Sequence, residues 1–193
     1  MRLPPIAPRD LTGEQQALYD DLRRGMGDRF SAFKVNREDG AFIGPWNPYL
    51  HEPAIGRTTW DLTHAIDQLN TLSRSVREVA ILVVGARYKA SYLIYAHVAI
   101  GEAAGRPVAS LATMAAALKP TGLSADESIG YDIACSLTAG STLPESLYRL
   151  GVGTFGQRGM HELIYLVGLY SMLAVTLNAF DVPVPGCDDS VSS

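Results

Sequence analysis

Apolar residues recur at helical spacing along most of the chain, and this pattern predicts a largely helical protein. The first helix is predicted to begin at Thr12-Gly13-Glu14-Gln15, which has the form of a capping box, and to end at Gly25 and Gly27. A second capping box, Ser124-Ala125-Asp126-Glu127, predicts the start of another helix. Further helices are predicted at about residues 54–70, 73–86, 91–105, 108–118 and 159–179, and Pro144 suits the first turn of a helix that includes Leu147 and Leu150.

Residues 28–53 break this periodicity. Asp39-Gly40 is typical of a hairpin turn, and Gly44-Pro45-Trp46-Asn47-Pro48 is predicted to be irregular because of its glycine and prolines. Aromatic residues in such a loop usually dock on the body of a protein, and they can also form the wall of a pocket.

The segment from Glu78 to Val84 is rich in residues that favour strands, so a buried strand competes with a helix there. The length of the segment and the lack of other strand candidates favour a helix. The sequence therefore predicts an all-α protein with one domain over residues 1–193, a proline-rich arm at 1–10 and a loose tail at 183–193. Gly151, Gly153 and Gly156 are predicted to break the chain before the last helix.

Composition narrows the functional classes. Apolar residues make up 47% of the chain and charged residues 19%, which favours a surface partly covered by a partner subunit. The net charge is −4 and no basic run occurs, so we expect no nucleic-acid partner. The apolar stretch 163–177 is shorter than the roughly 20 residues of a membrane span, and no signal segment is visible. We expect a cytoplasmic protein without a membrane partner.

Motifs for metal, phosphate or nucleophilic chemistry are missing from the sequence. It has no HExxH, CxxC, GxSxG or phosphate-binding glycine loop, and two cysteines, Cys135 and Cys187, cannot form a zinc site alone. What remains is Glu78 near the start of one predicted helix and His97 in the middle of the next. If the chain folds back near residue 88, these side chains approach each other, as general acid/base chemistry requires.

Several side chains near this pair are candidates for a site. Tyr88 and Tyr92 could donate hydrogen bonds, and Arg87 could bind an anionic substrate. Structural alternatives stay open at this point. Glu78 follows Ser75 by three residues and could be a capping residue, whereas His97 could be a core or interface histidine, and Tyr92 could serve only packing.

The segment Arg77-Glu78-Val79-Ala80-Ile81-Leu82, followed by Tyr92, His97 and Gly105, resembles the carboxymuconolactone decarboxylase family, which includes the AhpD-type alkylhydroperoxidases. The likeness extends over about residues 40–183, including the lead-in from Gly44 through Trp46 to Pro53. It implies an AhpD-like helical bundle with a site on a helix hairpin, in a longer member of the family. It also implies a homo-oligomer, which could be a dimer, trimer or hexamer.

The resemblance also guides the function. The peroxidase branch places a CxxC pair before its histidine, and those positions fall on Ala90 and Leu93 here, with its intervening histidine at Tyr92. The decarboxylase branch acts on small carboxylated lactones without a cofactor. We therefore expect an enzyme of the carboxy-lyase or isomerase type without cofactor or metal, as in the breakdown of aromatic compounds. Its expected catalytic residues are His97, Glu78 and Tyr92, and its expected substrate-binding residues are Arg87, Tyr88 and Trp46.

Two alternatives to this function remain. One is a thiol-type alkylhydroperoxidase, which the missing CxxC disfavours. The other is a non-catalytic oligomeric protein that retains only the fold.

Overall fold

A computed structural model describes residues 1–26 and 30–186. Within these residues the chain forms α-helices and no strand, so the all-α prediction is confirmed. After a short 3₁₀ turn at Pro8–Asp10, the helices are α1 Gly13–Met26, α2 Trp46–His51, α3 Pro53–Leu69, α4 Arg74–Tyr88, α5 Ser91–Ala103, α6 Val108–Ala115, α7 Ala125–Thr138 and α8 Glu145–Ala179. The expected helix end at Gly27 and most of the expected loose tail lie outside the described residues.

Both predicted capping boxes are present. The Thr12 N–H donates to Gln15 Oε1 at 2.9 Å, and the Gln15 N–H donates back to Thr12 Oγ1 at 3.4 Å. The Ser124 N–H donates to Glu127 Oε2 at 2.8 Å, while the Glu127 N–H donates to Ser124 Oγ at 3.2 Å. Each box thus satisfies two backbone N–H groups that would otherwise lack a partner at a helix start.

Helix α4 lies at the centre of the bundle, where it packs against α5, α6, α7 and α8. Its residues from Val79 to Val84 are all buried, so apolar side chains on every face of this helix meet other helices. This packing outweighs the strand preference of the segment, which is why the helix forms and the strand alternative is wrong.

The segment before α3 differs in part from its prediction. The expected turn at Asp39-Gly40 is present, with Gly40 at a φ of 87° and an antiparallel bridge between Asn36 and Phe42. The expected irregular stretch is wrong from Trp46 onward, because α2 begins there. A proline is tolerated at position 48 because residues in the first turn of a helix have no intrahelical partner for their N–H groups.

Helix α8 contains both the helix expected after Pro144 and the last predicted helix, and the break expected between them is present at Gly156 alone. It continues through Gly151 and Gly153, and its backbone leaves the helical conformation at Gly156, where φ is 69°. A Cβ at position 151 would lie too close to the Met160 sulfur, so glycine fits there for lack of space.

Helix α8 is long and apolar enough to cross a membrane. These properties are weak evidence for a membrane span, because core helices of soluble proteins share them. Half of its most apolar window is buried inside the protein.

Candidate active site

The reversal between α4 and α5 brings two predicted site residues together. Lys89 ends α4 in the left-handed conformation, with φ at 52°, and the Ala90 N–H donates to the Gly85 carbonyl at 2.9 Å. Helix α5 then runs back along α4. As a result, Nδ1 of His97 lies 2.7 Å from Oε2 of Glu78, within hydrogen-bond distance.

Glu78 is not a capping residue. Ser73 is the N-cap of α4, and its Oγ accepts a hydrogen bond from the Val76 N–H at 3.3 Å. The Ser75 hydroxyl donates instead to Glu127 Oε1 at 2.5 Å. Since neither serine uses the Glu78 carboxylate, that side chain is available to His97, and the capping alternative is wrong.

The environment of the pair leaves one imidazole nitrogen available. His97 is 7% exposed, and the Glu78 side chain is 14% exposed. When the imidazole is neutral and Nδ1 donates to the Glu78 carboxylate, Nε2 carries no hydrogen and can accept a proton. Among the residues that the structure describes, Nε2 has no hydrogen-bond partner. His97 borders two cavities and Glu78 lines the larger of them, so a ligand in that cavity lies beside the pair.

The larger cavity has a volume of about 570 Å³ and a polar lining on one side. Five polar or charged residues contribute to that side, from the end of α3, from α4 and from the connection between them: Asp67, Asn70, Arg74, Arg77 and Glu78. Helices α5 and α8 complete the lining with His97, which contacts Glu78, and with Ile100, Leu166 and Tyr170. The cavity has the size of a site for a small organic ligand.

Arg77 is held by two carboxylates in the cavity wall. Its Nη2 lies 2.5 Å from Asp67 Oδ1, and its Nη1 lies 3.6 Å from Oε1 of the fully buried Glu162. The other oxygen of Glu162 accepts hydrogen bonds from the N–H groups of Thr71 and Leu72, at 2.7 and 3.2 Å. Glu162 thus connects α8 to the turn before α4, and the charge of Arg77 is compensated within the protein.

Arg74 differs from Arg77 because no carboxylate among the described residues pairs with it. It is exposed, it is the first residue of α4, and it lines the same cavity. Within the described part of the chain, it is therefore the arginine of this cavity whose charge is available to a ligand.

The smaller cavity, about 50 Å³, lies on another side of His97 and has a largely aromatic lining. Trp46, Trp60 and Tyr92 contribute to it, and Tyr170 borders both cavities. The Tyr170 ring meets His97 edge-on, with ring centroids 5.2 Å apart. This cavity suits an apolar group and offers little for a charged one.

Tyr92 is already hydrogen-bonded in this smaller cavity. Its hydroxyl donates to the Lys34 carbonyl at 3.2 Å. Burial, together with the nearby Tyr95, raises the pKa of the Tyr92 hydroxyl far above its ordinary value of 10.0. Tyr92 therefore stays protonated, and its hydrogen is used inside the protein.

Two predicted substrate-binding residues are placed elsewhere. Arg87 lines a third cavity, with its Nε 3.4 Å from the Thr138 carbonyl, and Tyr88 borders neither cavity at His97. Arg87 follows Glu78 by nine residues, which is a rotation of about 180° around a helix, so the two residues face opposite sides of α4. The expectation that Arg87 binds the substrate beside Glu78 is therefore corrected by helical phase.

Three residues of the larger cavity were missed in the sequence. Arg74 precedes Arg77 by three residues and Glu78 by four, and these spacings place Arg74 next to both of them on the surface of a helix. The phase of α4 could therefore have identified them. Tyr170 lies in a long apolar helix, where no local signal distinguishes it from a packing residue.

Thiol groups lie away from this site in the described part of the chain. Leu93 lines the smaller cavity, at one of the positions where the peroxidase branch has a cysteine. Cys135 lines the third cavity, where burial raises the pKa of its thiol. Cys187 lies outside the described residues, and within them no group of three or more metal-binding side chains occurs.

Comparison with known proteins identifies the fold. No family model matches the chain, and no curated protein does. A solved structure, a cysteine-to-alanine variant of the debrominase Bmp8 in complex with 2,3,4-tribromopyrrole, superimposes with a TM-score of 0.69. The match covers 96% of this chain and 92% of that one. The fold is AhpD-like. At 11% sequence identity the likeness shows the fold alone.

Proposed function

We propose that this protein is an enzyme that transfers protons without a cofactor, with His97 as its acid/base and Glu78 as the group that orients it. The 2.7 Å contact between these side chains in the wall of a 570 Å³ cavity carries the proposal. The proposed substrate is a small carboxylated lactone or a related unsaturated acid. Its size suits the cavity, and an acid group suits the arginine on the cavity wall.

The chemistry needs one nitrogen that gives and takes a proton. In an isomerisation, Nε2 of His97 removes a proton from a carbon beside a carbonyl, and the resulting imidazolium returns it to another carbon. A decarboxylation starts from the imidazolium form of His97, which carries a proton on Nε2. The bond between the ring and the carboxyl carbon breaks, CO₂ leaves, the electron pair of that bond enters the unsaturated ring, and a ring carbon takes the proton from Nε2, which leaves His97 neutral. In both reactions the Glu78 carboxylate stabilises the imidazolium.

The structural neighbour supports the general class of this proposal. It is a debrominase, and its structure contains a small ring compound. An enzyme of the same fold that binds a small ring compound is consistent with small-molecule catalysis here. The cytoplasmic location and the homo-oligomer expected from the sequence remain predictions.

A hydrogen-exchange experiment tests the proposal. A panel of small unsaturated lactone acids is incubated with the protein in D₂O, and NMR follows deuterium incorporation and loss of the carboxyl group. We expect exchange or CO₂ release with the wild type and a loss of at least about 100-fold in His97→Asn, because a general acid/base contributes about that much. His161→Asn is the matched control, since His161 is exposed and lines none of the cavities described above.

Equal rates for a folded His97→Asn variant and the wild type would contradict the proposal. If no acid of the panel exchanges at all, the alternative of a non-catalytic protein is favoured instead.

A further inference from the structure

We infer that the ligand of this site has two unlike ends. One is an anionic group that binds Arg74, and the other is a flat apolar group whose edge enters the smaller cavity, named the aromatic cavity for its lining. His97 lies between them because its ring borders both cavities. The inference rests on the proposed function for what happens at His97, whereas the binding mode follows from the lining of the cavities. The substrate class is thus an acid with an unsaturated or aromatic ring.

The position of Arg74 in its helix supports an anionic ligand. The N-terminal end of a helix carries partial positive charge, so acidic residues are favoured in the first turn. Helix α4 has no acidic residue in its first turn and begins instead with Arg74. Among the described residues no carboxylate pairs with this positive charge on the cavity wall, and an incoming anion compensates it.

Arg77 does not fill this role, although it is nearer to Glu78 in sequence. Asp67 and the buried Glu162 already surround its guanidinium group. A ligand carboxylate that approached Arg77 would also approach these two negative groups. The anion is therefore better accommodated at Arg74.

The distance between the anchor and the reacting pair suits a compound with a single ring. Arg74 precedes Glu78 by four residues on the same helix, which is about 6 Å along the helix axis. A carboxylate attached directly to a small ring spans a similar length. A ligand held at Arg74 therefore places its ring beside His97.

The aromatic cavity receives only the far edge of that ring. Its volume of about 50 Å³ holds a few atoms, such as a methyl group, a halogen or one side of a ring. Trp46 lines this cavity, with the Phe30 ring centroid 5.4 Å and the Phe33 ring centroid 6.2 Å from its own. These rings contact an apolar group well and would leave a charged group without partners.

This binding mode also determines which acid group stays on the substrate. A carboxylate that leaves as CO₂ loses its charge in the transition state, so a bond to Arg74 would stabilise the ground state more and slow the reaction. The anion at Arg74 is therefore one that the product retains. A decarboxylation at this site would need a second carboxyl group.

Tryptophan fluorescence provides a direct test of the binding mode. The chain has two tryptophans, Trp46 and Trp60, and both line the aromatic cavity. The probes are benzoate, its neutral amide benzamide, and acetate, which has the anion without the ring. With excitation where the probes do not absorb, we expect benzoate to change the emission with saturation, benzamide to bind at least about fivefold more weakly, and acetate to leave the emission unchanged.

The matched variants are Arg74→Ala and Arg158→Ala. Both arginines are exposed, but Arg158 lines none of the cavities described above. We expect benzoate to bind at least about fivefold more weakly to Arg74→Ala and with unchanged affinity to Arg158→Ala, while benzamide does not distinguish Arg74→Ala from the wild type. Equal benzoate affinity in the two variants, or benzoate binding without a change in emission, would overturn the inference.

Failure of this inference can be told apart from failure of the proposed function. Benzoate binding that depends on Arg74, together with unchanged exchange in His97→Asn, supports the binding mode and removes the catalytic role. Exchange that depends on His97, together with benzoate binding that is unchanged in Arg74→Ala, supports the catalytic role and removes the binding mode.

Discussion

Two carboxylates lie at helix α4, Glu127 from α7 and Glu78 from α4 itself, and they differ in how many partners they have. Towards α7, Ser75 binds Glu127, whose Oε1 also lies 2.5 Å from Arg106 Nη2 and whose Oε2 accepts the Ser124 N–H. Towards α5, three residues further along, Glu78 binds His97 beside a 570 Å³ cavity. One carboxylate thus has three partners away from the cavities described above, and the other has one partner beside open space.

The comparison separates a structural site from one that is suited to chemistry. Burial acts to raise the pKa of Glu127, but the hydrogen bonds from Ser75, Ser124 and Arg106 outweigh it and lower the pKa to about 2. Through these contacts Glu127 joins α7 to α4 and to the segment before α6. At the other site, His97 Nε2 has no partner in the described part of the chain. Spare hydrogen-bonding capacity beside a cavity is what a ligand needs.

The largest effect on stability is expected at Glu127, the carboxylate with three partners. Glu127→Gln leaves Arg106, whose side chain is 13% exposed, without its carboxylate, and we expect the free energy of unfolding to fall by about 3–5 kcal/mol. Urea unfolding at neutral pH measures this change. Glu78→Gln is the matched control on the other side of α4, and an equal loss in both variants would remove the distinction between the two sites.

Acid should weaken the contacts of Glu127 in a defined range. The pKa of Glu127 falls from an ordinary value of 4.5 to about 2 in the folded protein, so its contribution is complete above pH 4.5. It is lost as the pH falls from 4.5 towards 2, and it amounts to at most about 3 kcal/mol. We expect the wild type to lose this much more stability over that range than Glu127→Gln does. Parallel stability curves for the two proteins would contradict the assignment.

At the Glu78–His97 pair we expect a substitution to lower activity more than stability. Without the carboxylate, the imidazolium of His97 loses its counter-charge, and we expect Glu78→Gln to lower the rate of proton exchange about 100-fold, or about 2.7 kcal/mol. The free energy of unfolding should change by only about 1 kcal/mol, because a neutral His97, unlike the always charged Arg106, needs no counter-charge when the carboxylate is lost. NMR exchange rates and urea unfolding of the same variant give both numbers. A stability loss without a rate loss would make Glu78 a structural residue.

The smallest effect is expected from Ser75→Ala. Glu127 loses one of its hydrogen bonds but keeps Arg106 and Ser124, so we expect a loss of about 1 kcal/mol in the free energy of unfolding. Proton exchange by the folded protein should stay at the wild-type rate. A change in that rate would show that the two sites communicate through α4.

Local signals in the sequence predicted much of the fold. The two capping boxes and the turn at Asp39-Gly40 depend on neighbouring residues, and the structure contains all three. The errors came from residues whose role depends on distant contacts. Gly151 looked like a helix break but provides space for Met160, and the stretch at Trp46 looked irregular although the first turn of a helix accepts a proline.

The candidate active site shows the same limit, because local signals do not predict contacts between distant parts of the chain. The meeting of Glu78 and His97 could be predicted because both lie on consecutive helices joined by a short reversal. Arg87 is close to Glu78 and His97 in sequence, but helical phase places it on the opposite side of α4, at another cavity. Tyr170 comes from a helix about 70 residues further along the chain, and only the packing of that helix brings it to His97.

The Glu162 contact has a consequence for the order in which the site can form during folding. Glu162 holds the N–H groups of Thr71 and Leu72, just before the helix start that positions Arg74. The helix that carries Glu78 packs against α7 and α8, and the cavity wall takes Leu166 and Tyr170 from α8. During synthesis on the ribosome, the site can therefore be completed only after the last third of the chain has been made.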